Sequence, residues 1–332
     1  MISVVVPTYN EETNLEELHR RLSDVAGEIR QHEFEFIFVD DHSTDKTPEI
    51  LKKLNETDHR LKVIRFARNC GSHAAMRAGL TYCRGDYAVV LAADLQDPPE
   101  IIHDMLKEAE KGAKIVWGIR ASREGERAST KTFSQFYYKL INWLTVVKMA
   151  PLGTDVFMAH RVVLEAFKRM PEKHTSVFMA LAWLGFPQGS FEYVKKARQH
   201  GETKWTVGKK IKLMLDSILA FSDIPIRYMS ILGFITAFFG FCYAFFVAFQ
   251  YFFHGVPVEG WSSLIVAILI VGGVQMSMLG VLGEYLWRTF DESRRRPQFV
   301  MEYLLDSNEQ QKDNFHERVF LELGDADSQR HL

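Results

Sequence analysis

The chain has few cysteines, almost no net charge and no glycine-rich phosphate loop, and each absence narrows the function. Cys70, Cys83 and Cys242 form no CxxC pair. That argues against a disulfide framework and a structural zinc site, and it fits a reducing compartment. No GxGxxG follows the first apolar run, and no GxxxxGK[ST] occurs anywhere. Dinucleotide redox chemistry and P-loop hydrolysis thereby lose their main support. A net charge of -2 over 332 residues gives no electrostatic footprint for nucleic acid. The start, Met1 to Pro7, has neither a basic n-region nor a long apolar h-region. No cleaved signal peptide is expected, so the catalytic part is expected to stay in the cytosol.

What is there divides in two. In the first half, Ser3–Val6, Glu35–Val39, Lys62–Phe66 and Tyr87–Leu91 read as buried strands. Between them Leu15, Leu18, Leu22, Val25 and Ile29 recur at helical spacing, with Thr13 and Glu16 placed as a capping box. Ile101, Ile102, Met105, Leu106 and Ala109 mark another helix, opened by Pro98-Pro99. Strand–helix alternation predicts an α/β fold with a mostly parallel sheet covered on both faces. Ligands of such sheets sit at the carboxyl ends of the strands. Asp40-Asp41 and Asp94 fall just past two of those ends.

From about residue 120 the pattern changes. Thr132–Lys148 and Val207–Phe221 are amphipathic, the second carrying Lys209, Lys210 and Lys212. Each fits a helix lying on a membrane surface or an ordinary core-facing helix. Met229–Phe253 and Leu264–Gly283 are free of charge and long enough to cross a hydrocarbon core. The link from His254 to Ser263 has no Lys or Arg, whereas Arg227 precedes the pair and Arg288 and Arg294-Arg295-Arg296 follow it. The positive-inside rule then puts both ends in the cytosol. Gly273 and Ser277 offer a small-xxx-small face for contact within the hairpin or between subunits of a homo-oligomer. The tail from Asp306 to Leu332 is polar, and flexibility is expected there. The expected segments are 1–205 catalytic, 206–228 juxtamembrane amphipathic helix, 229–253 and 264–286 transmembrane, and 287–332 basic segment and polar tail.

Three stretches carry the chemistry. Val4-Val5-Val6-Pro7-Thr8-Tyr9-Asn10-Glu11-Glu12 is a strand running into a turn and a helix. Val39-Asp40-Asp41-His42-Ser43-Thr44-Asp45 ends the second strand in acids, which can accept from a nucleobase N–H or a ribose hydroxyl. Ala92-Ala93-Asp94-Leu95-Gln96-Asp97-Pro98-Pro99-Glu100 follows the fourth strand. Its acid and amide oxygens suit Mg²⁺ or Mn²⁺, ions that keep positions open for substrate phosphate. A departing diphosphate needs such help because negative charge builds on it. Asp94 is expected to serve the metal, and Asp97 to cap the helix begun by the prolines.

Together these stretches resemble the family-2 inverting glycosyltransferases of GT-A fold. They are most similar to the branch acting on polyprenyl phosphates, such as dolichol-phosphate mannose synthases and undecaprenyl-phosphate glucosyltransferases. The resemblance covers residues 1 to about 205 by motif, and the hairpin extends it to about 300. Asn69-Cys70-Gly71 through Ala75 to Gly79 looks like the family's N-x-G-x-x-x-A-x-x-x-G run. The resemblance implies a Rossmann-like catalytic domain in which Pro7, Thr8, Tyr9, Glu11, Asp40, Asp41 and Gly71 hold the nucleotide. Asp94 and Gln96 fall on its metal positions, and Asp155 matches a later acid near sugar and acceptor, so Asp94 and Asp155 are the expected catalytic pair. Ala92 replaces the first acid of the usual D-x-D-x-Q, and no Arg follows Phe157. The Q-x-x-R-W string of processive synthases is absent, which favours single transfer.

A lipid phosphate acceptor needs cations near the membrane surface, and Arg120, Arg123, Lys131, Arg198 and Lys204 are the candidates. Arg198 through Lys204 also resembles the family's R-x-x-G-E-S-K segment. The reading is inverting transfer of one sugar from a nucleotide diphosphate sugar to a polyprenyl phosphate at the cytoplasmic face of the plasma membrane. UDP-glucose is the first expectation for the donor, ahead of UDP-aminoarabinose-type and GDP-mannose donors. A membrane-anchored, non-catalytic nucleotide-sugar scaffold is the reading from another class.

Overall fold

The computed structural model describes residues 1–123, 154–195 apart from 171, 173 and 174, then 219, 222, 224–254 and 260–306. Its centre is a sheet whose inner strands are apolar on both faces, the pattern a doubly covered parallel sheet requires. The strands are β1 (Ile2–Thr8), β2 (Phe34–Asp40), β3 (Leu61–Phe66), β4 (Tyr87–Val90), β5 (Ile115–Arg123), β6 (Thr154–His160), β7 (Gln188–Lys195) and β8 (Met301–Asp306). They lie in the order β7-β5-β6-β4-β1-β2-β3-β8. β1 pairs in parallel with β2 and β4, β2 with β3, and β5 with β7. β6 runs antiparallel between β4 and β5, and β8 antiparallel to β3.

One face is covered by α1 (Leu15–Glu28), α2 (Thr47–Thr57) and α4 (Ile102–Glu110), which add Leu18, Leu22, Leu51 and Met105 to a core with Val4, Val6, Phe36 and Phe38. The other is covered by α3 (Ser72–Tyr82), α5 (Arg161–Lys168) and α6 (Val177–Trp183), where Ala75, Ala78, Val163, Phe167 and Leu181 meet Val5, Ile37 and Phe157. The expected α/β sheet with two covered faces is therefore present. The parallel strands and the reversed β6 point β1 to β5 and β7 so that the ends of β1, β2, β3, β4, β5 and β7 and the start of β6 share one edge.

Two local expectations are corrected. The capping box at Thr13 and Glu16 does not form: α1 starts after Asn14, whose side chain does not cap the helix but donates to Glu11 Oε2 at 2.8 Å. The competing demand is loop bracing, described below. Asp97 does not cap the turn that begins at Pro99 either; its carboxylate is engaged elsewhere.

Two long helices follow, α7 (Ile224–His254) and α8 (Trp261–Ser293). Both are long and apolar enough to cross a membrane, with stretches at Ile224–Val247 and Val266–Ser293 of mean hydropathy 2.0 and none of either stretch buried inside the protein. Phe234 and Phe252 are 79% and 84% exposed. After α8 the chain returns to the sheet. Phe299 stacks on Phe66 with ring centroids 5.0 Å apart, and β8 extends the edge beside β3. The segment read as basic region and polar tail thus includes a strand of the sheet. Residues 307–332 and most of the expected 206–228 helix lie outside the described residues.

Candidate active site

The loops at the shared strand edge are tied to one another through side chains. Thr8 Oγ1 donates to the Val39 carbonyl at 3.0 Å, and the Asp41 N–H donates to the Thr8 carbonyl at 2.9 Å. Beyond β1, the Asn10 N–H donates to Ser43 Oγ, Asn10 Oδ1 accepts the Thr44 N–H, and the Glu11 N–H donates to Thr47 Oγ1, each at 2.9 Å. Asn10, His42 and Leu95 have positive φ (52°, 62° and 58°) and lie just past β1, β2 and β4. Each such residue costs energy that the surroundings must over-determine, so their gathering at one edge marks a functional candidate.

Asp40 and Asp41 support this cradle. Asp40 is wholly buried; one oxygen accepts the Ser43 N–H at 2.9 Å and the other pairs with the Arg65 guanidinium. Arg65 also donates to the Ser43 carbonyl at 3.2 Å and pairs with Glu302 of β8 at 2.8 Å. Asp41 accepts the N–H groups of Cys70 (2.6 Å) and Gly71 (2.8 Å). Burial pushes the Asp41 carboxyl above its usual range, and those two N–H groups oppose the shift. Gly71 takes φ 92°, a conformation glycine adopts without penalty, and α3 starts directly after it. Pro7, in β1, and Tyr9 and Glu11, just after it, are half-buried.

Asp94 and Gln96 flank Leu95, whose side chain is buried in the core, and the Gln96 N–H donates to Asp94 Oδ1 at 3.2 Å. Among the described residues no three His, Cys, Asp or Glu side chains cluster for a metal ion. One carboxylate and one amide oxygen still fit Mg²⁺ or Mn²⁺, which are commonly held by one or two protein oxygens plus substrate phosphates. Ala92 supplies no ligand atom.

Beside them the expected Asp155 and Arg120 join three residues that sequence reasoning missed for this role, Asp97, Tyr193 and Lys195. Asp97, fully buried, accepts from Tyr193 Oη at 2.7 Å and from Lys195 Nζ at 3.3 Å. The same ammonium lies 2.6 Å from Asp155 Oδ2, and Arg120 Nε is 3.3 Å from that oxygen. Asp97, Arg120, Asp155, Tyr193 and Lys195 thus meet at the ends of β5 and β7 and the start of β6, near enough to Asp94 for its charge to act on Asp97 and Lys195. Burial works against the charge of Lys195, but Asp155 and Asp97 outweigh it and hold the ammonium above its usual range. Burial likewise raises the Asp97 carboxyl, against the pull of Lys195. The available signal was alternation: Tyr193 and Lys195, two apart on a strand, share a face. Of the other expected cations, the side chain of Arg123 and the whole of Lys131, Arg198 and Lys204 lie outside the described residues.

The chain is similar along most of its length to bacterial and phage glycosyltransferases. It is 38% identical over 301 residues to the protein named Uncharacterized glycosyltransferase YkcC of Bacillus subtilis, covering 90% of this chain and 93% of that one. It is 33% identical over 311 residues to the Bactoprenol glucosyl transferase of Shigella phage SfV, covering 94% and 99%. Among solved structures, S. aureus TarS 1-349 in complex with UDP aligns with a TM-score of 0.45 at 18% identity, over 67% of this chain and 66% of that chain. The model of glycosyl transferase family 2 matches residues 3–166. With that match and relatives of this identity and coverage, the chain belongs to glycosyl transferase family 2 and is a glycosyltransferase.

Proposed function

We propose that this enzyme transfers one glucosyl group from UDP-glucose to a polyprenyl phosphate such as undecaprenyl phosphate, with inversion, at the cytoplasmic face of the membrane. The observation that carries the reading is that Asp94 and Gln96 and the Arg120–Asp155–Lys195 group lie at the same sheet edge. Two apolar helices in the same chain and the relatives named bactoprenol glucosyl transferase support the lipid acceptor. In this reading 229–253 and 264–286 span the bilayer, and the domain of residues 1–205 and both termini are cytoplasmic.

The loops at Pro7–Glu11 and Asp40–Thr47, with Gly71, enclose the nucleotide. Asp94 and Gln96 hold Mg²⁺ or Mn²⁺, which supplies charge neutralisation at the diphosphate. A phosphate monoester has its second pKa near 6, so much of the lipid phosphate is already a dianion at neutral pH and needs no strong base to attack the anomeric carbon. Asp155, paired with Arg120 and Lys195, orients groups around that carbon. The bond to the donor diphosphate breaks as the new phosphate–sugar bond forms on the opposite face.

Membranes containing the enzyme, undecaprenyl phosphate and labelled UDP-glucose should yield a β-linked lipid-phosphate glucose. Transfer from GDP-mannose or a UDP-aminoarabinose-type donor in its place would correct the donor. Retained anomeric configuration would overturn the mechanism. Nucleotide-sugar binding without transfer from any donor would favour the scaffold reading.

A further inference from the structure

Lys195 has surroundings that a plain structural ion pair does not need. Its ammonium carries three donors. One is directed at Asp97, which is fully buried, and one at Asp155, which is about a third exposed. Lys195 therefore links a sealed carboxylate to one that is partly exposed at the strand-end edge. Tyr193 fixes the sealed carboxylate from its own strand, at 2.7 Å. Arg120, from the neighbouring strand β5, reaches the same Asp155 oxygen at 3.3 Å. Asp97 and Asp155 balance Lys195 and Arg120 in formal charge. A dianionic phosphate arriving at the exposed side meets Asp155 as a repulsive charge unless both cations keep their places. A lysine stem is flexible, and without a rear anchor the ammonium would swing onto Asp155 alone.

We infer that Lys195 is a fixed cation of the acceptor-phosphate subsite and that Asp97, braced by Tyr193, is the positioning residue that keeps it there. The inference rests on the proposed lipid-phosphate acceptor. The nucleotide is assigned to the loops at Pro7–Glu11 and Asp40–Thr47 and to Gly71, whereas Asp97 bonds to Tyr193 and Lys195, so a loss at Asp97 is expected on the acceptor side of the reaction.

The test uses the full chain in detergent or lipid, with undecaprenyl phosphate and UDP-glucose varied separately. Removing one charge-assisted hydrogen bond at a buried site is worth roughly tenfold or more. Asp97→Asn is expected to raise the acceptor KM about tenfold while the donor KM and the slow hydrolysis of UDP-glucose by water stay within about twofold. Lys195→Met should lose more, and Lys195→Arg should recover part of the loss. Should Asp97→Asn fail to fold, Tyr193→Phe keeps both charges and should show the same split at about two- to fivefold. Equal losses toward donor, acceptor and water, tracking the folded fraction, would mean a structural role and overturn the inference. A wild-type enzyme that glycosylates another acceptor and ignores polyprenyl phosphate would overturn the acceptor reading, and this inference with it. Wild-type lipid transfer with unchanged variant kinetics would overturn this inference alone.

Discussion

At Gly79 the sheet closely approaches α3, the helix that opens the proposed nucleotide cradle. A Cβ placed there would lie 2.2 Å from Val5 Cγ1, 3.1 Å from Cγ2 and 3.2 Å from Cβ. Val5 is fully buried in β1, which is paired on both sides, so neither it nor its strand can withdraw. In open space, Gly→Ala within a helix stabilises by about 1 kcal/mol. Here α3 would have to lift by more than an ångström from the sheet, and overpacking of this kind costs about 1–3 kcal/mol or more. Gly79→Ala is therefore expected to destabilise by about 2 kcal/mol net. Val5→Ala alone should cost about 2–3 kcal/mol through lost burial and a cavity. In the double variant the new methyl occupies the space the valine leaves, and the loss should fall to about 1–2 kcal/mol, a coupling of about 3 kcal/mol. Thermal and denaturant unfolding of the purified full chain measures all three. Because α3 starts directly after Gly71, the single variant should also raise the donor KM. A Gly79→Ala protein as stable as wild type, or losses that simply add, would refute the reasoning.

Three further outcomes are expected. Asp94→Ala should cut turnover by at least about a hundredfold with membrane insertion intact, read by transfer assay and fractionation, because only Gln96 would remain of the proposed protein ligand atoms. Chelation with EDTA should abolish transfer, and Mg²⁺ or Mn²⁺ should restore it; activity indifferent to chelator would remove the metal from the reading. Burial alone would raise the Asp58 carboxyl, but hydrogen bonds from Arg60 and His19 hold it at about 2. Its stabilisation is thus present above the ordinary carboxylate range and fades as pH falls from about 4 toward 2. Asp58→Asn should cost about 2 kcal/mol at pH 7 and almost nothing near pH 2, as unfolding at the two pH values would show.

The central strands were legible because parallel strands covered on both faces must be continuously apolar, and Ser3–Val6 and Glu35–Val39 are nearly so. The place of Asp94 and Gln96 was legible because the segments that follow the strands of such a sheet gather at one edge. Asp97 was misread for a related reason. An acid before Pro-Pro carries a strong local signature of a cap, while its actual partners, Tyr193 and Lys195, come 96 and 98 residues later. Asn14 was passed over in favour of Thr13 because the capping box counts only neighbours, whereas this loop is braced against Ser43, Thr44 and Thr47. β8 was not legible at all. Met-Glu-Tyr-Leu-Leu-Asp alternates weakly and follows a long apolar helix, and Glu302 meets Arg65 across 237 positions of sequence.

The two edges of the sheet place the same residue types, buried Lys–carboxylate groups, in different settings. At the edge away from the candidate site, Glu35 accepts from Ser3 Oγ at 2.5 Å and from the Arg84 N–H at 2.6 Å, and it pairs with Lys62 at 2.8 Å. Lys62 also reaches Asp306 of β8 at 3.3 Å. Burial would raise the Glu35 carboxyl, yet Lys62, Ser3 and Arg84 bring it below its usual value. Glu35, Lys62 and Asp306 are each almost completely enclosed. Arg84, about half exposed, also reaches Asp306 at 3.2 Å, and the network ties β8 to the starts of β2 and β3, which fixes a register. At the opposite edge Asp97 is as deeply buried, but the chain of charges continues outward through Lys195 to Asp155 and Arg120, which stay partly exposed. Buried charge is costly in both places. At the second it ends in Asp155 and Arg120 at the edge where the strand-end loops gather, the arrangement the proposed acceptor subsite needs.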